Sequence, residues 1–228
     1  GEFIQFMDSD DLASPNKLER QVAAMERHNA DMAFCPWFHI EWGKGIKTSP
    51  KEVLQTQHPG EHRALLDWHL RGWNLVLQNC LFRRSFLEKI GPQRTDLLGT
   101  EDWEFFNRIF LAKPKAVFTP DCLVLYRLHD EGKLSGSGTT SLKKSEELTK
   151  AARYIQSNLN GHTDDISKFS KLLLQFRFHE IEKHGGSSIT PEPSTFLEKA
   201  FFTILSFQDR IIMGLRRRII GHAWNSFY

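Results

Sequence analysis

The sequence predicts an α/β body followed by a C-terminal helical tail. Short apolar runs alternate with segments of helical periodicity along the first part of the chain. A Gly- and Ser-rich stretch, HDEGKLSGSGTTS, then interrupts the pattern, and the segments after it all have helical character. We therefore predict a body over residues 1–138 and a helical extension over residues 139–228.

Bulk composition excludes several classes of protein. The chain has 228 residues, 40% of them hydrophobic, which is enough for one sizeable core. No apolar run approaches the ~18 residues of a membrane span, so a transmembrane enzyme is not expected. The location that we expect is cytoplasmic. The net charge of +2 is too small to indicate a nucleic-acid partner. Cys35, Cys80 and Cys122 form no CxxC pair and are predicted to be buried free thiols.

The first elements are a strand and a helix. The run FIQFM, residues 3–7, suits a short buried strand. Ser14 and Pro15 read as the cap and first position of a helix that continues to His28. Three apolar residues recur within it at helical spacing: Leu18, Val22 and Met25.

The next part of the chain mixes strand and loop signals. Residues 32–42, MAFCPWFHIEW, are aromatic and β-prone and predict one strand. Residues 43–60 lack periodicity and predict a loop, and residues 61–71 a short helix. An apolar stretch through Phe82 then leads to a turn of helix that ends at Gly91.

A further helix begins with acidic residues. Thr100 is a plausible N-cap, and Glu101 and Asp102 occupy the first turn, where the helix dipole favours anions. Four residues form its apolar face: Trp103, Phe106, Ile109 and Phe110. Pro114 ends the helix. By spacing alone, these acids need be no more than ordinary dipole complementation.

Two strands and the tail complete the prediction. The strands cover residues 116–119 and 122–127, and the tail helices cover residues 142–159, 165–184 and 194–227. Within the last helix, four arginines accompany large apolar residues: Arg210, Arg216, Arg217 and Arg218. Such a helix either packs on the body or another subunit, or lies on the inner face of an anionic membrane.

Three aspartates follow the first strand, at Asp8, Asp10 and Asp11. A calcium loop would continue to a Gly and a distant Glu, and Leu12 and Ala13 do not fit that pattern. A phosphatase-type aspartyl nucleophile explains the position, although no partner set of Lys and acids is evident. A divalent metal site that holds a sugar-nucleotide diphosphate, and an inert capping cluster, are the other interpretations.

Four ordered fragments favour the metal site. GEFIQFMDSDDLASPNKLERQV, NCLFRRSFLEKIG, GTEDWEFFNRI and YRLH with the later LSGS occur in that order over residues 1–138. Together they resemble the inverting family 2 glycosyltransferases of the GT-A fold. The resemblance implies a partial GT-A (Rossmann-like) mixed sheet with flanking helices.

The resemblance also implies roles for the acids. Asp8-Ser9-Asp10 matches the DxD motif, in which Asp10 would ligate Mn²⁺ or Mg²⁺ and Asp8 would face the donor; Asp11 would extend the donor-binding set. Glu101-Asp102 matches the ED motif, in which the Asp is the expected catalytic base.

Two residues of the YRLH run complete the implied site. His129 would be a second metal ligand, with a surface histidine as the alternative. Arg127 would reach the diphosphate.

The implied partners are a nucleotide-sugar donor and a glycan or lipid-linked acceptor in bacterial surface polysaccharide synthesis. The family carries a nucleotide-binding half before the DxD strand, so we expect this chain alone to be inactive or nearly so. A non-catalytic carbohydrate-binding or interaction module is the alternative, as is a phosphotransferase with Asp8 as nucleophile.

Overall fold

The computed structural model describes residues 1–41, 47–48, 64–70, 73–128, 141–160, 162 and 166–185. The strands are β1 Phe3–Ile4, β2 Leu12–Ala13, β3 Met32–Phe34, β4 Trp37–Glu41, β5 Lys47–Thr48, β6 Cys80–Arg83, β7 Ala116–Phe118 and β8 Val124–Leu128. The helices are α1 Lys17–His28, α2 Leu65–Leu70, α3 Arg84–Ile90, α4 Glu101–Leu111, α5 Ser141–Leu159 and α6 Lys168–Gly185. The predicted α/β body and helical tail are confirmed in this part of the chain.

The strands form two mixed sheets. The first sheet has the order β1-β6-β3-β7, in which β6 is antiparallel to both neighbours and β3 is parallel to β7. The second sheet has the order β2-β8-β4-β5, in which β4 is parallel to β8. The acidic residues after β1 therefore lie where the chain passes from the first sheet to the second.

The single strand predicted over residues 32–42 is two strands. β3 belongs to the first sheet and β4 to the second, and Cys35 and Pro36 separate them. Pro36 has no N–H to donate, although its carbonyl accepts from the Val124 N–H at 3.0 Å. The continuous β-prone pattern did not reveal this break, because both halves have strand composition.

Helix α1 differs from its prediction at its start and on its buried face. It begins at Lys17 rather than at Pro15. Its buried residues are Lys17, Gln21 and Met25, whereas Leu18 is 53% exposed. The side of the helix that faces the first sheet therefore includes the polar residues Lys17 and Gln21, which the apolar spacing alone could not predict.

The predictions for the middle of the chain are largely confirmed. Helix α3 ends at Gly91, whose positive φ of 82° suits glycine. Helix α4 has Thr100 at its N-cap position and ends before Pro114. The first strand is shorter than predicted, and Met7 is 42% exposed. Residues 43–60 lie outside the described residues apart from β5.

The described tail helices share the main core of the body. Apolar residues of α5 and α6 are buried with aromatic residues of β3, β6 and α4 in one cluster, whose members include Phe34, Phe82, Phe105, Phe106, Ala152, Ile155, Leu159, Leu174 and Phe178. The helices predicted over residues 142–159 and 165–184 are confirmed to within a few residues. Residues 194–227, for which a basic helix is predicted, lie outside the described residues, and the domain boundary at residue 138 stays a prediction.

None of the helices in the described part of the chain is long and apolar enough to cross a membrane. All three cysteines are buried and free, as predicted.

Candidate active site

The first acidic group lies on the connection between β1 and β2. Asp8 is exposed and Asp10 half-buried, whereas Asp11 is only 8% exposed. The backbone N–H of Arg127, on β8, donates to Asp11 Oδ1 at 2.8 Å. Asp11 Oδ2 is buried without a hydrogen-bond partner among the described residues. A buried carboxylate oxygen left in this state is a candidate for contact with a ligand.

The charge state of Asp11 is unusual. Its pKa is raised to about 6, chiefly by burial and also by the nearby carboxylates of Asp10 and Asp8, whereas the hydrogen bond from the Arg127 N–H opposes the rise. Crowded carboxylates raise one another's pKa because like charges disfavour ionisation. The three acids therefore form one electrostatic unit that a bound cation would relieve.

Asp8 is held by a residue of a distant segment. Gln78 Nε2 donates a hydrogen bond to Asp8 Oδ2. Gln78 is buried in the 3-10 turn Leu77–Asn79, which leads directly into β6. The side chain of Asp8 is therefore oriented by a residue at the start of β6 rather than by a residue of its own loop.

The second acidic group begins helix α4. Asp102 is half-buried, and Gln93 Nε2 donates to its Oδ1 at 2.9 Å. Burial raises the pKa of Asp102 to about 6, and the charges of Glu101 and Asp8 contribute in the same direction. Glu101 Oε2 is also buried without a hydrogen-bond partner in the described part of the chain.

The two acidic groups are close enough to interact. Asp8 acts on the pKa of Asp102 although the two are far apart in sequence. The pKa of Tyr126 is raised by burial and, in decreasing order, by the charges of Asp11, Asp8, Asp10 and Asp102. The fold therefore collects the acids from both ends of the body around one region.

A cavity of about 580 Å³ opens beside Asp102. Its walls come from α2, α4, α5, α6 and the segment before β6, and the lining is mainly apolar: His69, Asn74, Leu75, Gly99, Thr100, Asp102, Trp103, Phe106, Leu148, Phe176 and Ile181. The tail helices thus supply one wall of the space into which Asp102 faces. Trp103, predicted to lie on the apolar face of α4, packs against the core and also lines this cavity.

The donor set fits a hard divalent cation. Within the residues that the structure describes, no three His, Cys, Asp or Glu side chains form a complete metal site. Mg²⁺ is usually bound by one or two carboxylates together with substrate phosphates, so a full protein cage is not required. The oxygens of Asp8 and Asp10, with the partnerless Asp11 Oδ2 nearby, suit that arrangement. His129 lies outside the described residues.

Sequence reasoning missed several residues that shape this region. Gln78 and Gln93 orient the two aspartates, and both belong to segments without a recognisable motif. The apolar residues of the cavity read as ordinary core in the sequence. Only the acids themselves, through their clustering, gave a signal.

One family model matches the first part of the chain. Residues 1–91 match the model of Glycosyl transferase family 2. The match includes Asp8, Asp10 and Asp11 and ends before Glu101 and Asp102. The resemblance predicted from the sequence is confirmed.

Two curated proteins resemble part of the chain. The protein named "Putative glycosyltransferase EpsH" of Bacillus subtilis is 32% identical over 136 residues, covering 57% of this chain and 38% of that protein. The succinoglycan biosynthesis protein ExoW of Rhizobium meliloti is 29% identical over 128 residues, covering 51% of this chain and 39% of that protein. The chain therefore spans about two fifths of the length of these relatives.

Solved structures show the same fold. TarS 1–349 of S. aureus, crystallised with UDP-GlcNAc, aligns with a TM-score of 0.55 at 19% identity, covering 80% of this chain and 49% of that one. A second TarS crystal structure gives a TM-score of 0.53 at 18% identity over 80% of this chain and 28% of that one. At this identity the likeness establishes the GT-A-like fold.

Proposed function

We propose that the chain is the catalytic part of an inverting, metal-dependent glycosyltransferase that moves a sugar from a nucleotide-sugar donor to a hydroxyl acceptor. The family match supports the reaction class. The observation that carries the mechanism is the position of Asp102 on the wall of a cavity and within electrostatic reach of Asp8, and its raised pKa agrees with that position.

Asp102 acts as the general base. A pKa of about 6 leaves its carboxylate mostly ionised at neutral pH yet basic enough to accept a proton from an acceptor hydroxyl. The hydrogen bond from Gln93 orients the carboxylate. The acceptor enters the cavity, where the ring of Trp103 can pack on the apolar face of a sugar.

The first acidic group serves the donor. Asp10 would hold Mn²⁺ or Mg²⁺, which when bound supplies positive charge to the departing diphosphate, and Asp8 would face the donor. Asp11 ties the loop to β8 by accepting a hydrogen bond from the Arg127 N–H. The Arg127 side chain would reach the diphosphate. Attack opposite the leaving group inverts the anomeric carbon in a single displacement. The proton of the acceptor passes to Asp102.

The names of the relatives support a biological setting for this proposal. ExoW is named for succinoglycan biosynthesis, and we assign this chain to the cytoplasmic synthesis of a surface polysaccharide from a glycan or lipid-linked acceptor. The mainly apolar lining of the cavity supports an acceptor that presents an apolar surface.

The substitution Asp102→Asn tests the base. In the full-length protein, assayed with UDP-GlcNAc, UDP-glucose, UDP-galactose and GDP-mannose, we expect kcat to fall roughly 10²- to 10⁴-fold. Donor affinity, measured by calorimetry, should be retained because Asp102 faces the acceptor. Glu88→Gln, which neutralises an exposed acid on α3, is the matched control and should leave kcat unchanged.

The same assay separates the competing functions. Undiminished transfer by Asp102→Asn would refute the assigned base, and absence of transfer by the native protein would favour a binding module. An acyl-phosphate trapped on Asp8 would identify a phosphotransferase instead.

A further inference from the structure

A buried lysine lies behind the first acidic group. Lys17, the first residue of α1, is 2% exposed. Its Nζ donates hydrogen bonds to Gln5 Oε1 and, at 2.8 Å, to Gln21 Oε1. Lysine is almost never fully buried unless it is paired, and the partners here are two neutral amides. Burial lowers the pKa of Lys17, and either protonation state keeps two N–H donors for these bonds.

Both glutamines connect Lys17 to the turn before β6. Gln5 Nε2 donates to the carbonyl of Gln78 at 3.0 Å, and Gln21 Nε2 donates to the carbonyl of Asn79 at 2.9 Å. Because Nζ donates to each Oε1, each amide group must direct its NH₂ toward the turn. Lys17 thus fixes the orientation of two side-chain amides that donate hydrogen bonds to the successive backbone carbonyls of Gln78 and Asn79.

The turn that these amides hold, Leu77–Asn79, is the one that orients Asp8. Its central residue, Gln78, donates to Asp8 Oδ2. On the other side of the turn, Asn79 Nδ2 donates to the Cys35 carbonyl at 2.5 Å, and the Cys35 N–H donates to the Asn79 carbonyl at 3.1 Å. The turn is therefore held from both sides, and a shift of its backbone would move the Asp8 partner.

We propose that Lys17 is a positioning residue that fixes the carboxylate of Asp8 through Gln5, Gln21 and Gln78. The inference rests on the proposed function to the extent that Asp8 serves the donor. In this role Lys17 does not touch the substrate. It holds the turn whose Gln78 side chain orients the Asp8 carboxylate. This explains why a costly buried amine occupies a helix face that an apolar residue would otherwise fill.

Lys17→Met tests the proposal, because methionine keeps the length and burial of the side chain and removes its N–H donors. In the full-length protein we expect kcat/KM to fall roughly 10- to 100-fold, the usual cost of losing an orienting partner of a site carboxylate. Met25→Ala is the matched control, on the same helix and fully buried in a separate small cluster. It should lower the melting temperature but leave kcat/KM unchanged.

A double substitution separates positioning from general destabilisation. Gln78→Leu should reduce kcat/KM to a similar extent, and Lys17→Met combined with Gln78→Leu should reduce it little further, because both act on one path. Additive losses, or equal losses in Lys17→Met and Met25→Ala, would overturn the proposal. If Lys17→Met fails to fold, Gln5→Met removes one arm only and allows the same comparison.

Hydrogen exchange reads the turn without relying on catalysis. The backbone N–H groups of Asn79 and Cys35 bond within and onto the turn, and both should exchange faster in Lys17→Met than in Met25→Ala. Unchanged hydrogen-exchange rates at Asn79 and Cys35 would refute the proposal that Lys17 holds this turn. If exchange is faster in Lys17→Met but Asp8→Asn keeps full activity, Lys17 holds the turn as proposed and the proposed role of Asp8 is refuted.

Discussion

Helix α4 carries two acids with opposite surroundings, Asp102 and Glu104. Glu104 is 2% exposed and accepts hydrogen bonds from Arg108 Nε at 2.8 Å and from Asn158 Nδ2 at 2.9 Å. Asp102 accepts from the neutral Gln93 and lies within electrostatic reach of two further acids, Glu101 and Asp8. One acid is thus paired with a cation, whereas the other is placed among like charges.

The difference shows that burial alone does not identify a reactive acid. Glu104 is the more deeply buried of the two, yet its charge is compensated, and Arg108 further donates to the carbonyls of Ile90 and Pro92 at 2.7 and 2.8 Å. Its environment serves to join α4 to the end of α3 and to α5. Asp102, with a pKa of about 6 and a cavity beside it, has the environment expected of a functional site.

The largest effect on stability should come from the compensated acid. Arg108→Met would leave the Glu104 carboxylate buried without its cation, and we expect a loss of about 3–5 kcal/mol in the free energy of unfolding. Urea denaturation measures it. Adding Glu104→Gln should restore part of the loss, but not the bonds to Ile90 and Pro92. A loss below about 1 kcal/mol would show that the pair is not structural.

A smaller effect, with a defined pH dependence, should come from Asp102. Its pKa in the folded protein is about 6 against an ordinary value of 3.8, so the folded state binds the proton more tightly than the unfolded state. The resulting stabilisation is fully present below pH 3.8 and is lost as the pH rises through about 6. Near pH 7 the native protein bears the cost of keeping the half-buried Asp102 carboxylate ionised. Asp102→Asn removes that cost, so stability near pH 7 should rise relative to the native protein by about 1–3 kcal/mol.

Urea midpoints at about pH 4 and about pH 7 measure this difference. Part of the pH dependence should persist in Asp102→Asn, since the pKa of Asp11 is raised in the same direction. Identical pH profiles for Asp102→Asn and the native protein would contradict the raised pKa.

The smallest effect should come from an exposed acid near the same helix. Arg94 donates to Asp96 at 2.9 Å and the Tyr154 hydroxyl donates to it at 2.7 Å, and these bonds lower its pKa. The sign is therefore opposite: the stabilisation is present above pH 3.8 and is lost as the pH falls. Asp96→Asn should shift the urea midpoint less than either change above. The shift should shrink further at high salt, because exposed charges are screened.

The acids of the site could be found in the sequence, and their partners could not. The clusters at Asp8 to Asp11 and at Glu101-Asp102 stand out as charge at the ends of apolar runs. Gln78 and Gln93 do not, because a glutamine that orients a carboxylate across the fold follows no local spacing. Glu104 and Arg108 had the spacing of a helical ion pair, which was a readable signal of a structural role.

The fold was predictable where periodicity decides it. Helix α4 followed its apolar face, whereas α1 did so only in part. Its buried side combines the apolar contacts of Met25 with the hydrogen bonds of Lys17 and Gln21. The division of residues 32–42 between two sheets depends on pairing with β6 and β8, which are distant in sequence. Such long-range pairing leaves no trace within the segment itself.

The acidic loop between β1 and β2 is hydrogen-bonded to both sheets. Asp8 takes its partner from the turn that enters β6, and Asp11 takes its partner from β8. The loop is consequently not a portable module: transplanted into another scaffold as a short peptide, it would bring its carboxylates but not their spacing. An engineer who wished to move this site would have to carry both sheets with it.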